Sequence, residues 1–184
     1  MTFDGLFSKD EIRELVIEVA TELNPTKPPS TILVVGGALL AWHGLRLSTK
    51  DVDSSVRLDD DLKSAVRVVA KRHQLASTWL NDYAAPWHPR TLQLEECQVL
   101  LEHPHLKVLG APLAAVFLMK LNRSLPHDVS DMIALWPLVA QTFPTARSAT
   151  DAFYAAFPLE AVDEFLGPQV ANVALRAGQT LPLE

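Results

Sequence analysis

The stretch Ile32–Val56, ILVVGGALLAWHGLRLSTKDVDSSV, constrains this chain more than any other. An apolar run meets Gly36-Gly37, a short helical pattern over Ala38–His43 is closed by Gly44, and two aspartates, Asp51 and Asp53, follow one residue apart. Thr31–Val35 is β-branched and apolar, which predicts a strand buried on both faces. Leu45–Lys50 is predicted to return the chain into a second strand that carries Asp51 and Asp53. Side chains two apart on a strand share a face, so both carboxylates are expected on one edge. Such a pair repels itself and raises the pKa of one member unless a cation lies between them, and a divalent metal with oxygen ligands is the economical explanation. A glycine pair after a buried strand also lets backbone N–H groups approach a ligand with no Cβ in the way, and the start of the next helix favours phosphate. The plainer alternatives are a tight strand-to-helix turn, and aspartates that cap a loop or pair with Arg46 and Lys50.

The flanking chain supplies the rest of an α/β (α+β) fold. Ser8-Lys9-Asp10-Glu11 is a capping-box pattern ahead of Ile12, Leu15, Val16, Val19 and Leu23, predicting a helix over about 9–23. Asp59-Asp60-Asp61 opens another, ending near His73. Leu75–Leu80, Thr91–Glu95, Gln98–Glu102 and Leu106–Leu109 are predicted as strands, with a loop over Asn81–Arg90. From Ala111 the pattern turns helical: Ala111–Ser124 with Pro112 in its first turn, His127–Thr142 with Pro137 as a kink or an interruption, and two or three short helices over Thr150–Ala177 separated by Pro158 and by Gly167-Pro168. The expected organisation is an α/β core over 1–110 and a helical portion over 111–184 packed on it, with no flexible linker between them.

A chain of 184 residues with a net charge of −6 has little use for broad nucleic-acid binding, which needs many Lys and Arg contacts to phosphate. Any such partner must meet a local patch, for which Arg67, Lys71 and Arg72 are the candidates; a solvated helix face is the plainer reading. No run approaches the ~18 apolar residues of a membrane span, so no membrane partner is expected. The N-terminal MTFDGLFSKDEIREL lacks the basic start and apolar run of a secretory signal, and the single Cys97 leaves no internal disulfide. A cytoplasmic location is the default expectation.

Val35-Gly36-Gly37-Ala38, Gly44-Leu45-Arg46 and Ser48-Thr49-Lys50-Asp51-Val52-Asp53 together resemble the opening motif of the polymerase-β-like nucleotidyltransferases, in particular the small AbiEii-like toxin group. A later stretch, Lys120, Arg123, Asp128 and Asp131, stands in the order of that group's second motif. The resemblance implies a nucleotidyltransferase-like mixed sheet with flanking helices. It further implies Mg2+ (or Mn2+) on Asp51 and Asp53, and a nucleoside triphosphate against Gly36, Gly37, Arg46 and Lys50. Lys120 takes a phosphate-binding role in it and Asp128 a catalytic or supporting one. The implied partners are a tRNA or protein acceptor and an antitoxin protein. The chain departs from the pattern in three places: Ala38 stands where Ser or Thr often follows the glycines, His127 where a basic residue precedes Asp128, and the third carboxylate of many members has only Glu95 and Glu102 as candidates.

Three functions compete on these residues. The leading one is a metal-dependent nucleotidyltransferase; the second is a degenerate relative that binds nucleotide or protein without turnover. The third is a zinc site on His103, His105 and His88, with alternate strand residues reaching one ion. Trp42, Trp79, Trp87 and Trp136 are expected in the core, with base stacking by Trp87 as the alternative.

Overall fold

The computed structural model describes residues 5–184. Among these the chain is a mixed α+β protein with seven α-helices and one five-stranded sheet. It divides into two compact units, residues 1–88 with 94–111 and residues 89–93 with 112–184.

The first unit holds the whole sheet. Helix α1 (Lys9–Glu22) starts at a formed capping box: the Ser8 hydroxyl accepts from Glu11 N, and Ser8 N donates to the Glu11 carboxylate at 2.8 Å. Its apolar stripe of Ile12, Leu15, Val16 and Val19 is buried. Strand β1 (Ser30–Val35) runs directly into helix α2 (Gly36–Trp42), and β2 is only Val52–Ser54. Helix α3 (Asp60–His73) is capped by Asp59, whose carboxylate accepts from Leu62 N at 2.8 Å, and ends on Lys71, Arg72 and His73, where the helix dipole favours cations. Strands β3 (Leu80–Asn81), β4 (Gln98–His103) and β5 (Leu106–Gly110) complete the sheet.

The strand order is β3-β2-β1-β5-β4. β1 is the centre: it pairs antiparallel with β2, placing Val35 opposite Asp53, and parallel with β5, placing Ile32 opposite Val108. β3 pairs parallel with β2, with Asn81 opposite Asp53, and β4 pairs antiparallel with β5. Burial of Ile32, Leu33, Val34 and Val35 accounts for the unbroken apolar run of β1.

Two of the predicted strands are reduced or absent. The return segment Leu45–Lys50 is a bending loop in which Thr49 makes an isolated antiparallel bridge with Phe7. Leu75–Leu80 reduces to the start of β3, because Gln74 turns left-handed at φ +57° and the N–H groups of Leu75 and Trp79 close turns onto Ala70 and Ala76. Thr91–Glu95 is likewise spent on turns, Leu92 N bonding Pro89 O and Cys97 N bonding Leu94 O.

The second unit is helical. It contains α4 (Leu113–Arg123), α5 (Pro126–Val139), α6 (Ala146–Ala156) and α7 (Leu166–Arg176). Phe117 lies between Trp136 and Phe143, with ring centroids 5.5 and 5.7 Å away, and all three are buried. Pro137 sits inside α5, which continues past it to Val139 and stops short of the expected Thr142. Gly167-Pro168 does not separate two helices; it lies in the first turn of α7, where a missing N–H costs nothing. No helix among the described residues is long and apolar enough to cross a membrane.

Candidate functional site

The end of β1 gathers one set of functional side chains. Because Val35 is opposite Asp53, the chain leaves β1 beside that aspartate. Gly36 takes φ +61°, and a Cβ there would stand 3.2 Å from Asp53 Oδ2. At Gly37 a Cβ would stand 2.6 Å from Thr49 Oγ1 and 3.2 Å from Arg46 Nη1. Gly37 is therefore favoured by close approach, and Gly36 by its left-handed backbone, with a tight contact to Asp53 beside it. The loop returns over the glycines for local reasons. His43, Gly44 and Leu45 donate to the last carbonyls of α2, with Gly44 at φ +72°, and the Phe7–Thr49 bridge ties down the far end.

Thr49 is the residue that sequence reasoning missed as a member of the site. It is buried, its hydroxyl packs on Gly37, and its only sequence signal was a place in the Ser48-Thr49-Lys50 segment. Arg46 is exposed above the same glycine, Asp53 is half-buried, and Lys50 and Asp51 are exposed on the approach to β2. The second predicted strand is thus shorter than expected, and Asp51 precedes it.

Neither candidate third carboxylate joins Asp53. Glu102 pairs with Lys107, which pairs with Thr31, whereas Asp53 pairs with Val35. Four residues along β1 correspond to about 13 Å, and Glu102 is on the far edge strand as well. Glu95 is exposed in a short 3-10 turn, Leu94–Glu96. The residue beside Asp53 on the other side is Asn81, a buried amide that donates to Thr78 O at 3.2 Å and accepts from Tyr83 N at 2.8 Å. Next to it Asp82 is committed elsewhere: it accepts from Leu58 N and Lys63 Nζ, each at 3.1 Å. Burial alone would raise its pKa, but Lys63 and the Leu58 N–H hold it below the usual carboxylate value. Among the described residues no three His, Cys, Asp or Glu side chains gather as a metal site.

Lys120 and Asp128 belong to the second unit, where they form a buried ion network. Lys120, 4% exposed, donates to Asp131 at 2.6 Å and to Asp128 at 3.2 Å. Arg123 grips Asp128 with two bonds, of 2.6 and 2.9 Å, and Leu125 N adds a fourth donor at 3.2 Å. Burial would raise the Asp128 pKa; the Arg123 bonds and the Lys120 charge outweigh it and lower the value. With both oxygens doubly bonded, Asp128 joins the end of α4 to the first turn of α5. The Lys120 ammonium is engaged by two carboxylates and is not presented at the surface.

The histidines proposed for zinc have other contacts. His88 Nδ1 lies 3.1 Å from Ser55 Oγ, and His103 Nδ1 accepts from His105 N at 3.3 Å. Trp79 and Trp136 are buried core residues, whereas Trp87 is exposed. Comparison with protein-family models, curated proteins and solved structures gives no match. The functional reading therefore rests on the site itself.

Proposed function

We propose that the chain is a metal-dependent nucleotidyltransferase, moving a nucleotidyl group from a nucleoside triphosphate to a hydroxyl acceptor. One observation carries this reading: the Gly36-Gly37 turn, the Asp53 carboxylate and the Arg46 guanidinium converge at the end of β1. The turn gives phosphate oxygens an approach to backbone N–H groups. Arg46 supplies planar, charge-assisted donors to the same oxygens, and Thr49 fixes the turn from behind.

Asp51 and Asp53 would hold Mg2+ or Mn2+. Mg2+ is ordinarily bound through one or two carboxylates plus substrate phosphates, and the half-buried Asp53 beside the glycine turn, with the exposed Asp51 two residues before it, supplies that number. When bound, the ion supplies Lewis acidity toward the phosphoryl oxygens. The acceptor oxygen bonds to the α-phosphorus, its proton passes to solvent or a carboxylate, and the bond to departing pyrophosphate breaks in line. An RNA 3′ end or a protein hydroxyl as acceptor, and an antitoxin as regulator, belong to this proposal.

A second reading, nucleotide binding without turnover, is favoured by one observation: the position beside Asp53 on β3 is the neutral Asn81. Purified protein with Mg2+, labelled nucleoside triphosphates and bulk tRNA tests both. Label transfer that disappears in Asp53→Ala, with an unchanged circular dichroism spectrum, supports the enzyme. Triphosphate binding without transfer supports the second reading, and the absence of both sinks the two together.

A further inference from the structure

The gap between α3 and the β3 edge is a cavity of about 220 Å3 that none of Gly36, Gly37, Arg46 or Thr49 lines. Lys63 and Arg67, four residues apart and so on one helix face, supply one wall. Ser77 and Thr78 contribute hydroxyls from the turn before β3, and Tyr83 follows the strand. The carboxylate in this pocket, Asp82, is already matched: Lys63 is at 3.1 Å and Arg57 at 4.0 Å. The lining carries two cations, Lys63 and Arg67, to the one carboxylate, and Arg57 lies outside it beside Asp82, so the pocket is positive within a chain whose net charge is −6. Among the described residues the exposed Arg67 guanidinium has no carboxylate partner.

We infer that this pocket binds a nucleotide unit, with its phosphate on Arg67 and Lys63 and its base on Tyr83. Tyr83 is 65% exposed, so its ring is a platform and not a wall; stacking a base on such a ring is the standard use of an aromatic beside a basic groove. The cavity is smaller than the ~300 Å3 of pockets that engulf drug-sized ligands. It therefore holds the phosphate and leaves the base to lie on the tyrosine. A free mononucleotide and one residue of a single strand offer the same chemistry. The inference does not depend on nucleotidyl transfer, since it uses none of the residues at the glycine turn.

The test uses the full chain without divalent ions or triphosphate. The probes are a short fluorescent single-stranded oligouridylate, read by anisotropy, and labelled AMP, read by equilibrium dialysis. At least one probe is expected to bind, and Tyr83→Ala and Arg67→Ala are each expected to weaken it by roughly tenfold, with Tyr83→Phe retaining affinity. Both side chains are exposed, and circular dichroism of each variant checks the fold. Binding of the oligonucleotide alone assigns the pocket to a strand; displacement of the oligonucleotide by AMP assigns it to a mononucleotide. Failure of both probes to bind, or binding by the Tyr83→Ala and Arg67→Ala variants as tight as that of the unaltered chain, overturns the inference. So does AMP binding that is lost in Asp53→Ala but kept in Tyr83→Ala, which places the ligand at the glycine turn.

Discussion

At Gly37 a single methyl group separates a formed site from a strained one. The Cβ of alanine would meet Thr49 Oγ1 at 2.6 Å, and Thr49 is held by its bridge to Phe7, so neither partner has an easy retreat. Gly37→Ala is expected to cost about 1–3 kcal/mol, the usual range for overpacking. Thr49→Ala removes that oxygen, and the next contacts, Arg46 Nη1 at 3.2 Å and Thr49 Cβ at 3.4 Å, are a flexible side-chain end and an ordinary approach. A urea-denaturation cycle over the two single variants and the double variant should show strong coupling, the double variant being more stable than the sum of the single effects implies. Simple additivity would show that the two residues do not meet. The sequence exposed the glycines and aspartates through their spacing. It did not expose Thr49, because the partner that fixes it, Phe7, is forty-two positions earlier and no local pattern marks a lone bridge.

At the α4–α5 corner an element boundary is built from residues that the sequence marks as site candidates. Lys120 bonds Asp128 and Asp131, and Arg123 bonds Asp128. Asp128→Asn is expected to cost about 3 kcal/mol at neutral pH, the low end for breaking a buried pair, since Lys120 keeps Asp131. The folded-state pKa of Asp128 lies below its ordinary value. Its contribution is therefore complete above about pH 4, the unfolded value, and is lost as pH falls through the lower folded value. Urea unfolding followed by tryptophan fluorescence should show the gap between wild type and variant narrowing from about pH 4 downward; a gap independent of pH would remove the charge from the account. Elements with their own caps were legible in the sequence: Ser8 and Glu11 mark α1, and Asp59 marks α3. Those that depend on distant pairing were not. β3 is two residues long because turns consume the N–H groups before it, and which residue stands beside Asp53 follows only from the strand order.

At the scale of the whole molecule, the change from α/β to helical texture was visible near residue 111, while the assignment of residues 89–93 to the helical unit was not. That short segment makes a long-range bond, Arg90 N to Ala156 O at 2.9 Å, which its own composition does not announce. Charge works on the same scale. A net charge of −6 excludes a footprint spread over the surface, so any single strand held on Tyr83 must be held by the few cations around it. Lys63 and Arg67, with Arg57 close to Asp82, allow about two or three phosphate contacts, and single strands lose about 0.7 in logarithmic slope per contact. A plot of log affinity for oligouridylate against log salt is therefore expected to fall with a slope of about −1.4 to −2, and Arg67→Ala should make it shallower by about 0.7. A slope several times steeper would mean that the strand runs over cations outside the pocket. An unchanged slope in Arg67→Ala would mean that this guanidinium does not touch phosphate, leaving Tyr83 without the anchor that distinguishes a nucleotide platform from an exposed ring.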